Sequence, residues 1–262
     1  MYIDEGNRTC APQIGTKAPD FSAVTTFGDM KLSDFAERWI VLFSHPGDFT
    51  PVCTTEFISF ALYFPYFTQR NVQLIGLSID SLHSHLSWVY NIYKNTGIEI
   101  PFPVIADRDM KVARLYGMIA PAVSNTSTVR NVFIIDDKQI IRVVLQYPHT
   151  IGRSIPEIIR IIDALQASDR DKVVTPANWC PGAPVIVPPP NTYEQLKERI
   201  QDKHGYSCID WYLCMKPDAS NEALAHGDNE VYPRVKNKNV NLSSTKNMPG
   251  EHVKNGSHQK TG

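Results

Sequence analysis

The chain lacks any apolar run near the ~20 residues that span a bilayer. Its opening residues, Met1 to Arg8, are polar and carry no apolar centre of a secretory signal, so the expected location is the cytoplasm, with no membrane partner. It also lacks charge of one sign. A formal net charge of −1 over 262 residues gives no electrostatic case for nucleic acid or a membrane surface. Cysteine is scarce: Cys10, Cys53, Cys180, Cys208 and Cys214. An odd, sparse set of this kind excludes a disulfide-stapled secreted scaffold. No Cys-x-x-Cys occurs, which disfavours a thioredoxin-type reductase. Cys208 and Cys214 have no second pair with which to build a zinc site. No internal repeat is evident. Redox use of selected thiols is what remains.

What is present is ordinary for a soluble globular protein: 42% hydrophobic and 20% charged residues, with enough length to bury a sizeable core. Residues 15–35 read as loop and short strands leading to a short helix at Ser33-Asp34-Phe35. Residues 40–43 and 72–79 read as strands, the second apolar on both faces, as suits the centre of a doubly covered sheet. Between them, residues 50–67 have helical length. Residues 81–93 read as a helix capped by Asp80 or Ser81. A short strand at 103–106 and a helix at 109–116 ending on Gly117 follow. Residues 129–135 and 140–145 flank Asp136-Asp137-Lys138 as a hairpin. Ile155, Ile158, Ile159 and Ile162 form one stripe of a helix over 154–165. This order indicates an α/β sandwich around a central mixed sheet.

Near Lys172 the texture changes to Pro176, Pro181, Pro184 and Pro188-Pro189-Pro190. A short helix is expected from Thr192, its N-cap, to about Lys203. Cys208 and Cys214 then bracket Ile209-Asp210-Trp211-Tyr212-Leu213, whose large side chains are expected to be buried, within the chain or against another subunit. After Pro217 the chain is poor in large apolar residues and is expected to be largely disordered. The expected division is 12–170, 171–216 and 217–262.

The chemistry concentrates in His45-Pro46-Gly47-Asp48-Phe49-Thr50-Pro51-Val52-Cys53-Thr54-Thr55-Glu56. An apolar strand ends, a turn stiffened by Pro46 and Pro51 follows, and Cys53 lands in the first turn of a helix. Unpaired N–H groups and the helix dipole there favour thiolate, the nucleophilic form. Thr50 lies three residues before Cys53, within reach of the sulfur or of an oxygen bound to it.

Pro46, Thr50 and Cys53 reproduce the Pro-x-x-x-Thr-x-x-Cys motif, and this segment resembles the peroxiredoxins. Phe43-Ser44-His45-Pro46, Thr54-Thr55-Glu56, Thr128-Val129-Arg130 and Gly152-Arg153 extend the likeness over residues 10–215. Val187-Pro188-Pro189-Pro190 and the Cys208/Cys214 pair resemble the archaeal-type members of the peroxiredoxin-six-like branch. The resemblance implies a thioredoxin-like fold with a smaller C-terminal dimerisation segment. It implies a peroxidase that needs no cofactor or metal and acts on hydrogen peroxide and alkyl hydroperoxides. A homodimer, or a ring of dimers such as a decamer, is the implied assembly, and thioredoxin or a similar dithiol protein the implied reductant. Cys53 would be oxidised to a sulfenic acid, with Thr50 and Arg130 polarising the peroxide. Arg153 and Glu56 would organise the site. His45 would either hydrogen-bond near the sulfur or satisfy a backbone group. Cys214, from the neighbouring subunit, would resolve the sulfenic acid, and Cys208 would exchange with it. Cys10 and Cys180 lack comparable context and are read as non-catalytic. In animal members of the branch a phospholipase serine sits in Gly-Asp-Ser-Trp-Gly. Here the matching stretch is Ala36-Glu37-Arg38-Trp39-Ile40 and the partner histidine position is Ser33, so that activity is not expected. Two other readings stay open: a one-cysteine peroxidase recycled by a small thiol, and a redox-gated oligomeric chaperone.

Overall fold

A computed structural model describes residues 11–201 and 205–218. The tail at 219–262 and Cys10 lie outside the described residues. The N-terminal part begins with a hairpin, β1 (Ser22–Thr25) and β2 (Gly28–Lys31), and a 3-10 turn at Leu32–Phe35. Then come β3 (Trp39–Ser44), α1 (Pro51–Leu62), α2 (Phe64–Gln69), β4 (Val72–Ser78), α3 (Leu82–Thr96), β5 (Val104–Ala106) and α4 (Lys111–Leu115). β6 (Arg130–Ile135), β7 (Ile141–Tyr147) and α5 (Ile155–Asp171) complete the main layer. The C-terminal part holds β8 (Val185–Val187), α6 (Tyr193–Gln201), β9 (Ser207–Asp210) and β10 (Leu213–Lys216).

Seven strands form one mixed sheet in the order β2-β1-β5-β4-β3-β6-β7. β3, β4 and β5 run parallel, and β6 pairs antiparallel with β3 and β7. This is the thioredoxin-like arrangement. Period-two alternation splits the core in two. Val41, Phe43, Leu74, Val132 and Ile134 face α1, α3 and α5, while Ile40, Leu42, Ile75, Leu77 and Phe133 face α4 and the N-terminal segment. Each such fully buried side chain contributes ~1.5–3 kcal/mol of transfer free energy. The Ile155, Ile158, Ile159, Ile162 stripe is buried as the helical period requires. Ser81 caps α3 by accepting from the Ser84 N–H at 3.2 Å, and α4 ends before Gly117 at φ 64°. Gly76 lies where a side chain would collide: a Cβ there would be 3.2 Å from Phe57 and 3.4 Å from Phe43.

One expectation fails. The helix expected over 50–67 is two helices that break at Tyr63. Pro65 has no N–H for the Ala61 carbonyl, and its ring crowds that turn. Of the two places where the large side chains between Cys208 and Cys214 are expected to be buried, the chain itself is not the one. Ile209, Trp211 and Tyr212 are 83%, 40% and 52% exposed. Here β10 pairs with β8 and β9 in a separate three-stranded sheet. Ala167 of α5 with Val173, Trp179 and Val185 forms the small cluster at the base of this segment. Among the described residues no helix is long and apolar enough to cross a membrane.

Candidate active site

The site is built where β3 stops. His45, fully buried, continues the strand, and the turn at 46–50 leads into α1. Pro51 is the first helical residue, where a missing N–H costs nothing because that group would be unpaired anyway. Thr50 is the N-cap, but its side chain makes no cap bond; its hydroxyl donates to the Gly47 carbonyl at 2.9 Å. The first-turn N–H groups therefore keep their field for Cys53, the third residue of α1, which is buried and reduced. With its proton committed to Gly47, the Thr50 oxygen offers lone pairs, so it is an acceptor toward any third group.

Sheet pairing brings the cations. β6 pairs with β3 through Phe43–Val132, so Arg130, two residues earlier, lies past the end of β3 beside the turn. Its Nη1 donates to Cys53 Sγ at 3.2 Å and to Glu56 Oε2 at 2.7 Å. Its Nη2 and Nε donate to the His149 carbonyl at 2.8 and 3.3 Å. Glu56 is one turn beyond Cys53 on the same face of α1. Arg153, just before α5, chelates it through Nε and Nη2 at 2.8 and 2.6 Å, and its backbone N–H adds a bond of 2.8 Å. Arg153 Nη1 also ties the Ser44 and Asn131 carbonyls together, clamping β3 to β6. Burial pushes the Glu56 carboxyl up, but the Arg153 charge and hydrogen bonds, with the Arg130 charge, outweigh it and hold it below the usual range. One carboxylate between two guanidinium groups leaves a net positive charge within hydrogen-bond reach of the sulfur, which stabilises negative charge there.

A second buried group stands on the other side of the turn. Asp48 Oδ1 is 3.0 Å from His45 Nε2 and 3.0 Å from His85 Nδ1 of α3. The Asp48 N–H donates to Asp80 Oδ2 at 3.0 Å. Burial works to raise the Asp48 carboxyl, but hydrogen bonds and charge from the two histidines hold it well below its usual range. These three residues are also spaced to hold a cation, with ligand atoms within 4.8 Å of one another, though their mutual hydrogen bonds already use those atoms. The Thr128 hydroxyl donates to the His45 carbonyl at 2.7 Å.

Pro46, Thr50, Cys53, Glu56, Arg130, Arg153 and His45 thus gather at one end of β3 and β6. Cys208 and Cys214 do not join them. They form a disulfide across β9 and β10, Cys214 buried. Cys180 is free and exposed. A concavity of about 680 Å³ between β1, β2, β5 and α4 is lined by none of these residues. Sequence reading missed Ser44, His85, Asp80 and His149 as site residues. Asp48 sits inside the motif and could have been marked, but His85 and His149 are single histidines far along the chain that only the fold brings near.

The profile of the AhpC/TSA family matches residues 14–144, and that of the C-terminal domain of 1-Cys peroxiredoxin matches residues 164–203. The chain is 66% identical over 214 residues to peroxiredoxin 2 of Caldanaerobacter subterraneus subsp. tengcongensis, covering 82% of this chain and 97% of that protein. It is 56% identical over 216 residues to a peroxiredoxin of Aquifex aeolicus, covering 78% and 96%. Among solved structures, a yeast mitochondrial 1-Cys peroxiredoxin, described as resolved via glutathione/thioredoxin systems, superposes with TM-score 0.69 at 40% identity, covering 78% of this chain and 99% of that one. A cysteine-to-serine mutant of the peroxiredoxin 6 of Arenicola marina gives TM-score 0.72 at 34% identity, covering 79% and 99%.

Proposed function

Because the chain belongs to the AhpC/TSA family of peroxiredoxins and is a peroxidase, we propose that Cys53 is its peroxidatic cysteine and Cys214 its resolving one. The observation that carries the first assignment is the 3.2 Å contact between Arg130 and the Cys53 sulfur, backed by Glu56 and Arg153. Cys53 thiolate attacks the distal oxygen of a hydroperoxide. The S–O bond forms as the O–O bond breaks, sulfur is oxidised to sulfenic acid, and the other oxygen leaves as water or alcohol with a proton. Arg130 donates to oxygens that gain charge in that step, and the Thr50 oxygen accepts the peroxide hydrogen. Pro46 and Pro51 keep the turn stiff and withhold competing backbone donors.

Cys214 of a second copy then attacks the Cys53 sulfur, releasing water and leaving an intersubunit disulfide. Cys208 next attacks Cys214, freeing Cys53 and closing the Cys208–Cys214 bond. That bond is present across β9 and β10, which supports this order. The exposed Ile209, Trp211 and Tyr212 beside it suit a surface covered by the second copy. A dithiol protein such as thioredoxin returns the pair to thiols. One other reading has its own support: Cys214 is buried and already bonded to Cys208 within one chain. A one-cysteine cycle recycled by a small thiol such as glutathione would leave it so.

Peroxide turnover of the full chain, coupled to thioredoxin and its reductase, tests the assignment. Cys53→Ser is expected to abolish turnover and Cys214→Ser to abolish the thioredoxin-driven part. Full turnover by Cys53→Ser overturns the first role. Full thioredoxin-driven turnover by Cys214→Ser overturns the second and leaves the one-cysteine cycle.

A further inference from the structure

Arg130 reaches the sulfur with one nitrogen, Nη1. Its other two, Nε and Nη2, end on a single acceptor, the His149 carbonyl. The Arg130 side chain is 3% exposed, so water offers those donors little substitute. The guanidinium is a rigid planar fork. Where the carbonyl points therefore helps to decide where Nη1 points.

Regular structure does not hold that carbonyl. The β6–β7 ladder ends with Arg130 opposite Tyr147. One step on, Pro148 has no N–H with which to extend it. Residues 148–153 then run to α5 without strand or helix, and Thr150, Ile151 and Gly152 are exposed. Within them the Ile151 N–H reaches the Pro148 carbonyl only at 3.4 Å.

The His149 side chain supplies a fastening. Its Nε2 lies 3.1 Å from the Thr128 carbonyl. A carbonyl can only accept, so Nε2 bears a hydrogen and donates. Thr128 is a firm anchor: it is fully buried, and its hydroxyl donates to the His45 carbonyl at the end of β3 at 2.7 Å. The ring thus ties one end of the loop to the start of β6, while Arg153, bound to Glu56, ties the other to α1. Ring and carbonyl belong to one residue, so fixing the first limits how the second can turn.

We propose that His149 is a positioning residue of the peroxidase: its ring, latched to the Thr128 carbonyl, aims its own carbonyl at Nε and Nη2 of Arg130, so that Nη1 stays on the Cys53 sulfur. The proposal rests on the reading of Cys53 as the peroxidatic thiol. Without the latch, the loop is free to turn the carbonyl away, and the fork follows or loses two of its bonds.

The test combines nitrogen-15 NMR of the histidine-labelled, reduced full chain with stopped-flow kinetics of hydrogen peroxide reduction by His149→Ala and His149→Gln. Both substitutions are also made in an Arg130→Met background. Wild-type His149 is expected to carry a hydrogen on Nε2. His149→Ala is expected to react about 3- to 10-fold more slowly, the size of one neutral hydrogen bond. His149→Gln, whose amide can place an N–H near the position of Nε2, is expected to recover most of that loss. In the Arg130→Met background His149→Ala is expected to cost nothing further, because the group it positions is gone. Wild-type His149 with its hydrogen on Nδ1 alone overturns the proposal even if no variant folds. So does a folded His149→Ala that reacts at the wild-type rate, a His149→Gln no faster than His149→Ala, or an equal loss in both backgrounds, which would mark a role that does not pass through Arg130. An active Cys53→Ser would instead overturn the underlying role of Cys53.

Discussion

Replacing Arg130 by methionine should slow the reaction with hydrogen peroxide about 10²- to 10³-fold. The guanidinium bonds Cys53 Sγ at 3.2 Å, Glu56 at 2.7 Å and the His149 carbonyl at 2.8 and 3.3 Å. Methionine keeps much of the length and apolar body but removes every one of these bonds. With Glu56 negative and Arg130 and Arg153 positive, the buried cluster offers one positive charge to the sulfur; the variant removes it. One charge-assisted hydrogen bond is worth ~1.5–3 kcal/mol. Removing a preorganised donor from a developing oxyanion costs ~2.7–4 kcal/mol, which sets the predicted factor. Stability should also fall, by ~3–5 kcal/mol, because Glu56 loses a buried partner. That loss leaves a folded protein if the wild type is in the ordinary range of ~5–15 kcal/mol. Stopped-flow tryptophan fluorescence provides the assay, since Trp88 donates to Thr54 at 3.3 Å in the reacting turn. Arg130→Lys keeps the charge but not the fork and should fall between the two. A folded Arg130→Met protein that reacts within tenfold of wild type would refute the reasoning.

Glu56 carries a pH prediction. Its folded pKa lies below the ordinary value of ~4.3, so the unfolded chain binds the proton first. Its stabilisation is complete above that value and is lost as pH falls toward the folded pKa. Urea unfolding from pH 6 to pH 3 should show this slope, and Glu56→Gln should flatten it while lowering stability at pH 6 by ~3–5 kcal/mol. Gly76→Ala should destabilise by ~1–3 kcal/mol in the same assay, because its methyl would press on Phe57 and Phe43. Cys180→Ser should leave turnover unchanged, since that thiol is exposed and has no cationic neighbour among its hydrogen-bond partners.

The sequence declared most where one segment carried the whole signal. Apolar runs on both faces marked β4, and the Pro-x-x-x-Thr-x-x-Cys spacing marked the cysteine turn, because both are local. Arg130 and Arg153 lie at strand and helix starts, where an arginine is usually a solvated end; only the family resemblance singled them out, and only the β3–β6 register explains their convergence. His85 stayed unread for the same reason: its partner Asp48 is 37 residues away, and no spacing connects them. The break at Tyr63 was legible in Pro65, yet the apolar content of residues 50–67 masked it. Exposure of Trp211 and Tyr212 was not legible, since composition says that such side chains prefer burial and not what is at hand to bury them.

The central claim is that Cys53 takes the oxygen and Cys214 of another copy removes it. Intact mass and disulfide mapping after one equivalent of hydrogen peroxide, on fully reduced full-length protein and without added reductant, tests both halves at once. The account predicts a Cys53–Cys214 link between chains that passes on to Cys208–Cys214. Cys53 carrying stable oxygen with Cys214 still a thiol would contradict the two-cysteine cycle, and oxidation that leaves Cys53 untouched would contradict the account as a whole.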